Sequence, residues 1–477
     1  MVGPSVAVTF LLMSVLVARA SASIGVVLNE SLDESMDRIT GTGHTAVYFS
    51  NICPDSPVRL RECRPGELGS VLSTYVNIGE DYPFEWNIVP LSVYLYGVED
   101  PQNRPIFGSK RIKHLLEERY REKYLTEYCS SEACRASNKS EWREMVAATL
   151  IRGVYIFAVD TKPGQDRAFI ANFNAAANKN DFNGVTRNCA DFTRSVINSY
   201  FPHAVNRDYL NDFGMTSPKA VARTFTRYGL RHPELNFRVM HFAQVPGTIK
   251  RSSDVRAGTE QLYRSKKFLI PMILFADHEL PVAVASYLLT GRFSPERTFE
   301  QHPALEVTGE DFPIPLDQQG AAGEQKIQMV GTRGEWNEYR SKLHVFVEDN
   351  RSLIGTHDLS RFFKYLDQMG NLSLEADGSL WMELIQNGEP LRVGLSENNV
   401  LAVASNPQLA SKVLLVRASR LLKSPKHSRE TMLEFQHDWT KLQRASREIE
   451  TASTNADSAK STHHLLKAAD ADFVELP

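Results

Sequence analysis

"GTGHTAVYFS", residues 41–50, decides the fold. Gly41, Gly43 and Ala46 fit the Gly-x-Gly-x-x-Ala form of a dinucleotide loop, which would make the chain a doubly wound α/β protein. That loop needs a strand before it and a helix after it, so that free amides point at a pyrophosphate. Here the order is reversed. "NESLDESMDRIT" (29–40) reads as a short polar helix, and residues 43–50 alternate as a strand does. Working outward, β-texture continues over 58–63, 70–78 and 87–98. Helical spacing with a polar face follows over 109–125, and a Ser-capped helix over 140–151. A strand at 153–161, a helix at 163–178, a helix at 217–229 and a strand at 237–245 complete the pattern. Strands first, with helices between and after them, indicate an α+β fold, not a doubly wound sheet.

The chain of 477 residues carries 54 basic and 57 acidic side chains, a net charge of -3. That balance gives no electrostatic footprint for nucleic acid and no polybasic membrane arm. Residues 1–22 hold an apolar core from Val6 to Val17, followed by small residues that suit a secretory cleavage site. The expectation is an exported protein, periplasmic or extracellular. An uncleaved anchor is the alternative, because the segment lacks the usual early Lys or Arg. Export permits disulfides, and five cysteines then divide into Cys53 with Cys63 across a hairpin, Cys129 with Cys134, and an odd Cys189.

Cys189 opens the amphipathic run "CADFTRSVINSY", directly after Asn188. At a helix start, free amides and the positive end of the dipole favour thiolate, and a nearby imidazolium favours it further. The same amides can hold an oxyanion during attack on an acyl carbon. His44, leading its strand beside two glycines, is the candidate general acid and base. The bland reading of Cys189 is a buried, inert cysteine, and that of Asn188 is a helix cap. His241 and His278, in apolar runs, read as core histidines. Trp86 and Tyr94 read as strand core or as the lining of an acyl-chain groove.

"GHTAVYF" followed at a distance by "NCADFTRSVIN" resembles the circularly permuted papain-like, NlpC-type thiol hydrolases and their lecithin retinol acyltransferase relatives. The pair is also similar to the N-terminal periplasmic domain of bacterial lipoprotein transacylation enzymes. The resemblance covers about residues 40–200. It implies a permuted papain-like antiparallel sheet packed on helices, Cys189 as nucleophile, His44 as base, and a third polar residue that orients the imidazole from the following strand. Among Arg59, Arg61 and Glu62, the carboxylate of Glu62 suits an imidazole N–H best.

The expected function is therefore a cysteine-dependent hydrolase or acyltransferase acting on an amide or ester of a cell-envelope peptide, lipoprotein or lipid. No cofactor, metal or nucleic acid is called for. The alternative is a catalytically inactive envelope-binding or structural protein with a buried Cys189. The expected organisation is a thiol-enzyme domain at 23–265 and an apolar helical hairpin or membrane-associated segment within 266–300. A linker at 301–326, a smaller α+β domain at 327–445 and a disordered tail at 446–477 follow. Membrane association is assigned to 268–290, where Asp277, His278, Glu279 and two prolines make a full span costly. Oligomeric state is not legible.

Overall fold

The computed structural model describes residues 22–32, 43–75, 84–128, 131–132, 141–162, 164–179, 182–183, 187–208, 212, 215–245, 247–260, 285–302 and 304. In the C-terminal part it describes 341, 344–345, 348, 368, 370–386, 389–396 and 399. Cys129, Cys134, His278, the polar stretch 33–40, residues 268–284, the expected linker from 305 on and the expected tail lie outside the described residues, whereas Gln301 at the linker's expected start closes a helix.

The protein is built on a six-stranded antiparallel sheet. Its strands are β1 (Ser23–Asn29), β2 (His44–Phe49), β5 (Ser70–Ser73), β6 (Asn87–Pro90), β7 (Val154–Asp160) and β8 (Arg238–Phe242), in the order β6-β5-β2-β1-β7-β8. Two short strands, β3 (Ile52–Ser56) and β4 (Arg59–Glu62), form a separate ribbon between β2 and β5. The central strands read as nearly unbroken apolar runs because both faces of the sheet are covered.

Side chains alternate along each strand, so each strand feeds two cores. Ile24, Val26, Leu28, Val47, Phe49, Tyr155, Phe157 and Val159 face one core. It is completed by α3 (Gln165–Ala175), α4 (Cys189–Tyr200), α5 (Pro218–Arg231) and α6 (Pro295–Gln301). Val27, Ala46, Tyr48, Val71, Ile156 and Ala158 face the other, covered by α1 (Leu91–Tyr96), α2 (Lys110–Tyr124) and the turns around Trp142.

Several sequence expectations change here. The strand β1 was not foreseen, because it begins directly after the expected cleavage site. The run 87–98 is not one strand: β6 ends at Pro90 and α1 begins at Leu91. Residues 140–151 contain two 3-10 turns, Glu141–Met145 and Ala148–Leu150, separated by Ala147 in the left-handed region at φ 53°, in place of one α-helix. The expected helix at 109–125 is α2, capped by Ser109 accepting from the Ile112 amide.

Two asparagines of the α3 segment hold backbone that no strand pairs. Asn174 Oδ1 accepts from the Leu60 amide at 2.9 Å while its Nδ2 donates to the Leu60 carbonyl at 2.8 Å. Asn178 does the same at Trp86, accepting from its amide at 3.1 Å and donating to its carbonyl at 2.9 Å. Each side-chain amide imitates a neighbouring strand, satisfying groups that would otherwise be exposed edges.

A three-stranded antiparallel sheet, β9 (Asn371–Leu374), β10 (Leu380–Gln386) and β11 (Glu389–Gly394), lies against the α1–α2 side. Its Leu380 and Met382, with Leu395 just beyond β11, are buried in the same core as Trp142 and Leu116. The Asn103 side chain donates to the Asp377 carbonyl. The smaller α+β domain expected at 327–445 thus shows its β part in these three strands.

Cys53 and Cys63 form a disulfide across the β3–β4 ribbon. Closing a loop with a separation of ten residues restricts the unfolded chain. Reduction is expected to lower stability by about 2–3 kcal/mol, read as a shift in urea midpoint between oxidised and reduced protein. An unchanged midpoint would mean that the ribbon contributes nothing to the cooperative fold.

Candidate functional site

The site forms where β2 and β5 part. Their paired register runs from Phe49 with Ser70 to Val47 with Leu72 and stops there. Beyond it His44, Ser73 and Tyr75 lie on one face of the sheet, the face of Ala46 and Tyr48. Asn29, paired with His44 across β1 and β2, lies there too. The helix α4 packs on the opposite face through Ala190, Val196, Ile197 and Tyr200.

The local sequence explains why α4 starts at Cys189. Asn188 Oδ1 accepts from the amides of Ala190 at 2.9 Å and Asp191 at 3.0 Å, a helix cap that fixes the first turn. Its Nδ2 donates to the Thr216 carbonyl at 3.2 Å, tying the cap to the chain before α5. Asp191, buried in that first turn, accepts from Arg207 at 2.8 Å and from the Thr216 hydroxyl at 2.7 Å, so its charge is compensated.

Cys189 is the free cysteine among the described residues and keeps some exposed surface. Backbone N–H groups of Thr45, Ala190 and Cys189 itself point at its sulfur. The Thr45 donor matters most for architecture: it comes from the residue after His44 and joins the helix start to the strand. These donors favour thiolate, but burial acts more strongly and pushes the thiol up to about 11, with Asp191 adding to the rise.

His44 is buried at 7% exposure. Its Nε2 meets the Ser73 hydroxyl at 2.8 Å, and its ring stacks on Tyr75 at 4.1 Å between centroids. Burial, and secondly the positive charge of Arg152, hold the imidazole well below its ordinary value of 6.5. At rest the thiol and the imidazole are therefore both neutral, in place of the thiolate and imidazolium that the helix start alone would favour. Behind His44, Asn29 Nδ2 donates to the Tyr94 hydroxyl at 2.6 Å, and the buried Arg152 pairs with Glu144. Burial raises the Tyr94 phenol to about 12.

Glu62 sits elsewhere. It closes β4 in the ribbon and accepts from Arg167 Nε at 2.9 Å, with both side chains well exposed. The group that orients His44 is Ser73, on the strand beside β2 in the sheet, which sequence order alone did not single out. Alternation along 71, 73 and 75 was the available signal, once β5 was known to pair with β2. His241 stacks on Tyr155 at 4.1 Å within the α-helical core, as a core histidine does. Tyr94 is not on a strand: it is fully buried in α1.

A groove of about 400 Å³ begins at Asn188 and runs along α4. Trp86, Phe173, Phe182 and Phe192 give it aromatic walls, while Arg187 and Arg194 add charge. Among the described residues the His/Cys/Asp/Glu group with metal-ligand spacing is Cys53, Cys63 and Glu67. Its two sulfurs are already spent on the disulfide.

The His44 environment has a measurable consequence. An imidazole kept neutral by burial binds its proton more readily in the unfolded chain. Its contribution to stability is complete above pH 6.5 and is lost as pH falls through that value toward the lower folded pKa. In His44→Gln the loss of stability between pH 7 and 5 is expected to be shallower than in the parent, measured by urea midpoints across that range. An identical slope would remove His44 as the group responsible. Set against protein-family models, curated proteins and solved structures, the chain matches none.

Proposed function

We propose that the protein is a cysteine-dependent hydrolase or acyltransferase, with Cys189 as nucleophile and His44 as the proton-transferring base. The observation that carries this reading is the convergence of the Thr45, Ala190 and Cys189 amides on one free sulfur, with Thr45 following directly on a buried histidine whose ring is held by Ser73. Those amides are donors in place for an anion that appears only during reaction. The chain order also supports it, since a histidine on a strand precedes a cysteine on a helix, as in the permuted papain-like enzymes that the motifs resemble.

With thiol and imidazole both neutral at rest, attack is a general-base step. The Cys189 proton moves to His44 as sulfur bonds to the acyl carbon, and the imidazolium then protonates the leaving group. The thioester passes its acyl group to water or to an acceptor alcohol or amine. The aromatic groove along α4 is the natural place for the bound substrate. Export, for which the disulfide is a compatible feature, would put a peptide, lipoprotein or lipid of the cell envelope within reach. No helix among the described residues is long and apolar enough to cross a membrane. Association through 268–290 stays a proposal.

One observation favours a second reading: the same neutral, buried pair is what an inactive binding or structural protein would carry. Treatment with a simple ester such as p-nitrophenyl acetate separates the two. A catalytic Cys189 is expected to gain an acetyl group, seen by mass at that residue, and Cys189→Ser and His44→Ala to lose turnover while staying folded. Because the neutral thiol and neutral imidazole are the reacting pair, the rate is expected to stay level from neutral pH up toward about 11, and to fall only below 6.5 where His44 takes up a proton. Absence of acetylation at Cys189, or equal turnover in Cys189→Ser, would leave the binding reading.

A further inference from the structure

Tyr75 carries a polar atom that the folded chain leaves unused. The residue is 7% exposed, and its hydroxyl is buried without a hydrogen-bond partner of acceptable geometry. The Arg152 guanidinium acts on it, but a guanidinium can only donate, so Arg152 offers the phenolic proton no acceptor. A buried hydroxyl donor without an acceptor is destabilising, and such groups in native proteins call for an explanation.

The surroundings supply one. The Tyr75 ring lies flat on the His44 imidazole, centroids 4.1 Å apart and planes 12° from parallel. The Cys189 sulfur receives the amide of the residue next to His44 and is close enough to act electrostatically on the Tyr75 phenol. Burial keeps that phenol protonated, above its usual range. It is therefore a donor, held rigidly by stacking, beside the atom at which an acyl group would be attacked.

Resting on the thiol-enzyme reading above, we propose that Tyr75 is a catalytic residue whose O–H donates to the anionic oxygen of the tetrahedral intermediate at Cys189. As sulfur adds to the carbonyl carbon, the C=O π pair moves onto oxygen and the thiol proton passes to His44. The new oxyanion accepts from Tyr75, which keeps its proton. On collapse the pair returns, the C–O or C–N bond breaks, and the imidazolium proton leaves with the alcohol or amine. The unused hydroxyl of the resting protein is thus satisfied only while charge is present on the substrate oxygen.

The test uses Tyr75→Phe in the full chain, which keeps the ring against His44 and removes only the hydroxyl. Two reagents are compared at one pH. p-Nitrophenyl acetate reacts through an oxyanion, whereas iodoacetamide alkylates sulfur without one. The variant is expected to acetylate Cys189 about 100-fold more slowly than the parent, to alkylate at the parent rate, and to unfold at the same or a higher temperature. Equal acetylation rates would overturn the role of Tyr75 while leaving Cys189 as nucleophile. Parallel loss of both rates would overturn it too, since the hydroxyl would then act on the thiol itself. A lowered unfolding temperature would show that the hydroxyl is already bonded in the resting fold, and the proposal would fall. A parent protein that never acetylates at Cys189 fails the thiol-enzyme reading, and this proposal with it.

Discussion

The end of pairing between β2 and β5 governs everything around the thiol. While two antiparallel strands stay paired, their amides are committed to each other and a helix on one face cannot reach groups on the other. The register stops at Val47 with Leu72. Past that point the Thr45 amide turns to the Cys189 sulfur, and Ser73 and Tyr75 close on His44 from the parting strand. The disposition needs β2 to be buried on both sides, for only then does alternation place His44 in one core and the α4 contacts in the other.

Burial also decides the electrostatics. A helix N-terminus stabilises a nearby negative charge by about 0.3–1 kcal/mol, and up to about 2 in favourable partly buried geometry. Moving the thiol from 9.0 to about 11 corresponds to about 3 kcal/mol in favour of the protonated form. Desolvation therefore outweighs the dipole and the converging amides together. The same burial, helped by Arg152, keeps His44 neutral. A hydroxyl partner fits this state better than a carboxylate would. Ser73 can fix the ring without adding a negative charge that would draw a proton onto it.

The sequence made legible what depends on local pattern. Residues 43–50 as a strand and 189–200 as a capped helix follow from period and cap chemistry, and both stand where expected. So do α2, α5, β7 and β8. What failed depended on context. The strand β1 was lost because apolar residues after a leader look like its continuation. The run 87–98 has β-texture because "VPLSVYLY" is β-rich in composition, yet Pro90 suits the start of a helix and Gly97, at φ 77°, suits its end. Glu62 stands out among Arg59, Arg61 and Glu62 because chain order puts β4 after β2, whereas the sheet puts β5 and its Ser73 beside β2. Ser73, Tyr75 and Arg152 become visible only once the strand order is known. Their residue types carry no signal of their own in a run of ordinary β sequence.

The two sides of the sheet then have different work. The aromatic groove lies with α4, on the face of Trp86, Phe173 and Val196, while His44, Ser73, Tyr75, Tyr94 and Arg152 lie on the other. Cys189 stands at the sheet's open end, one residue from the groove at Asn188 and in hydrogen-bond reach of the Thr45 amide. On the thiol-enzyme reading, a substrate held in the groove has to bring its carbonyl oxygen and its leaving group past the sulfur to the layer of His44 and Tyr75. The parting of β2 and β5 is what opens that way, because paired strands would close the sheet between the groove and those two rings.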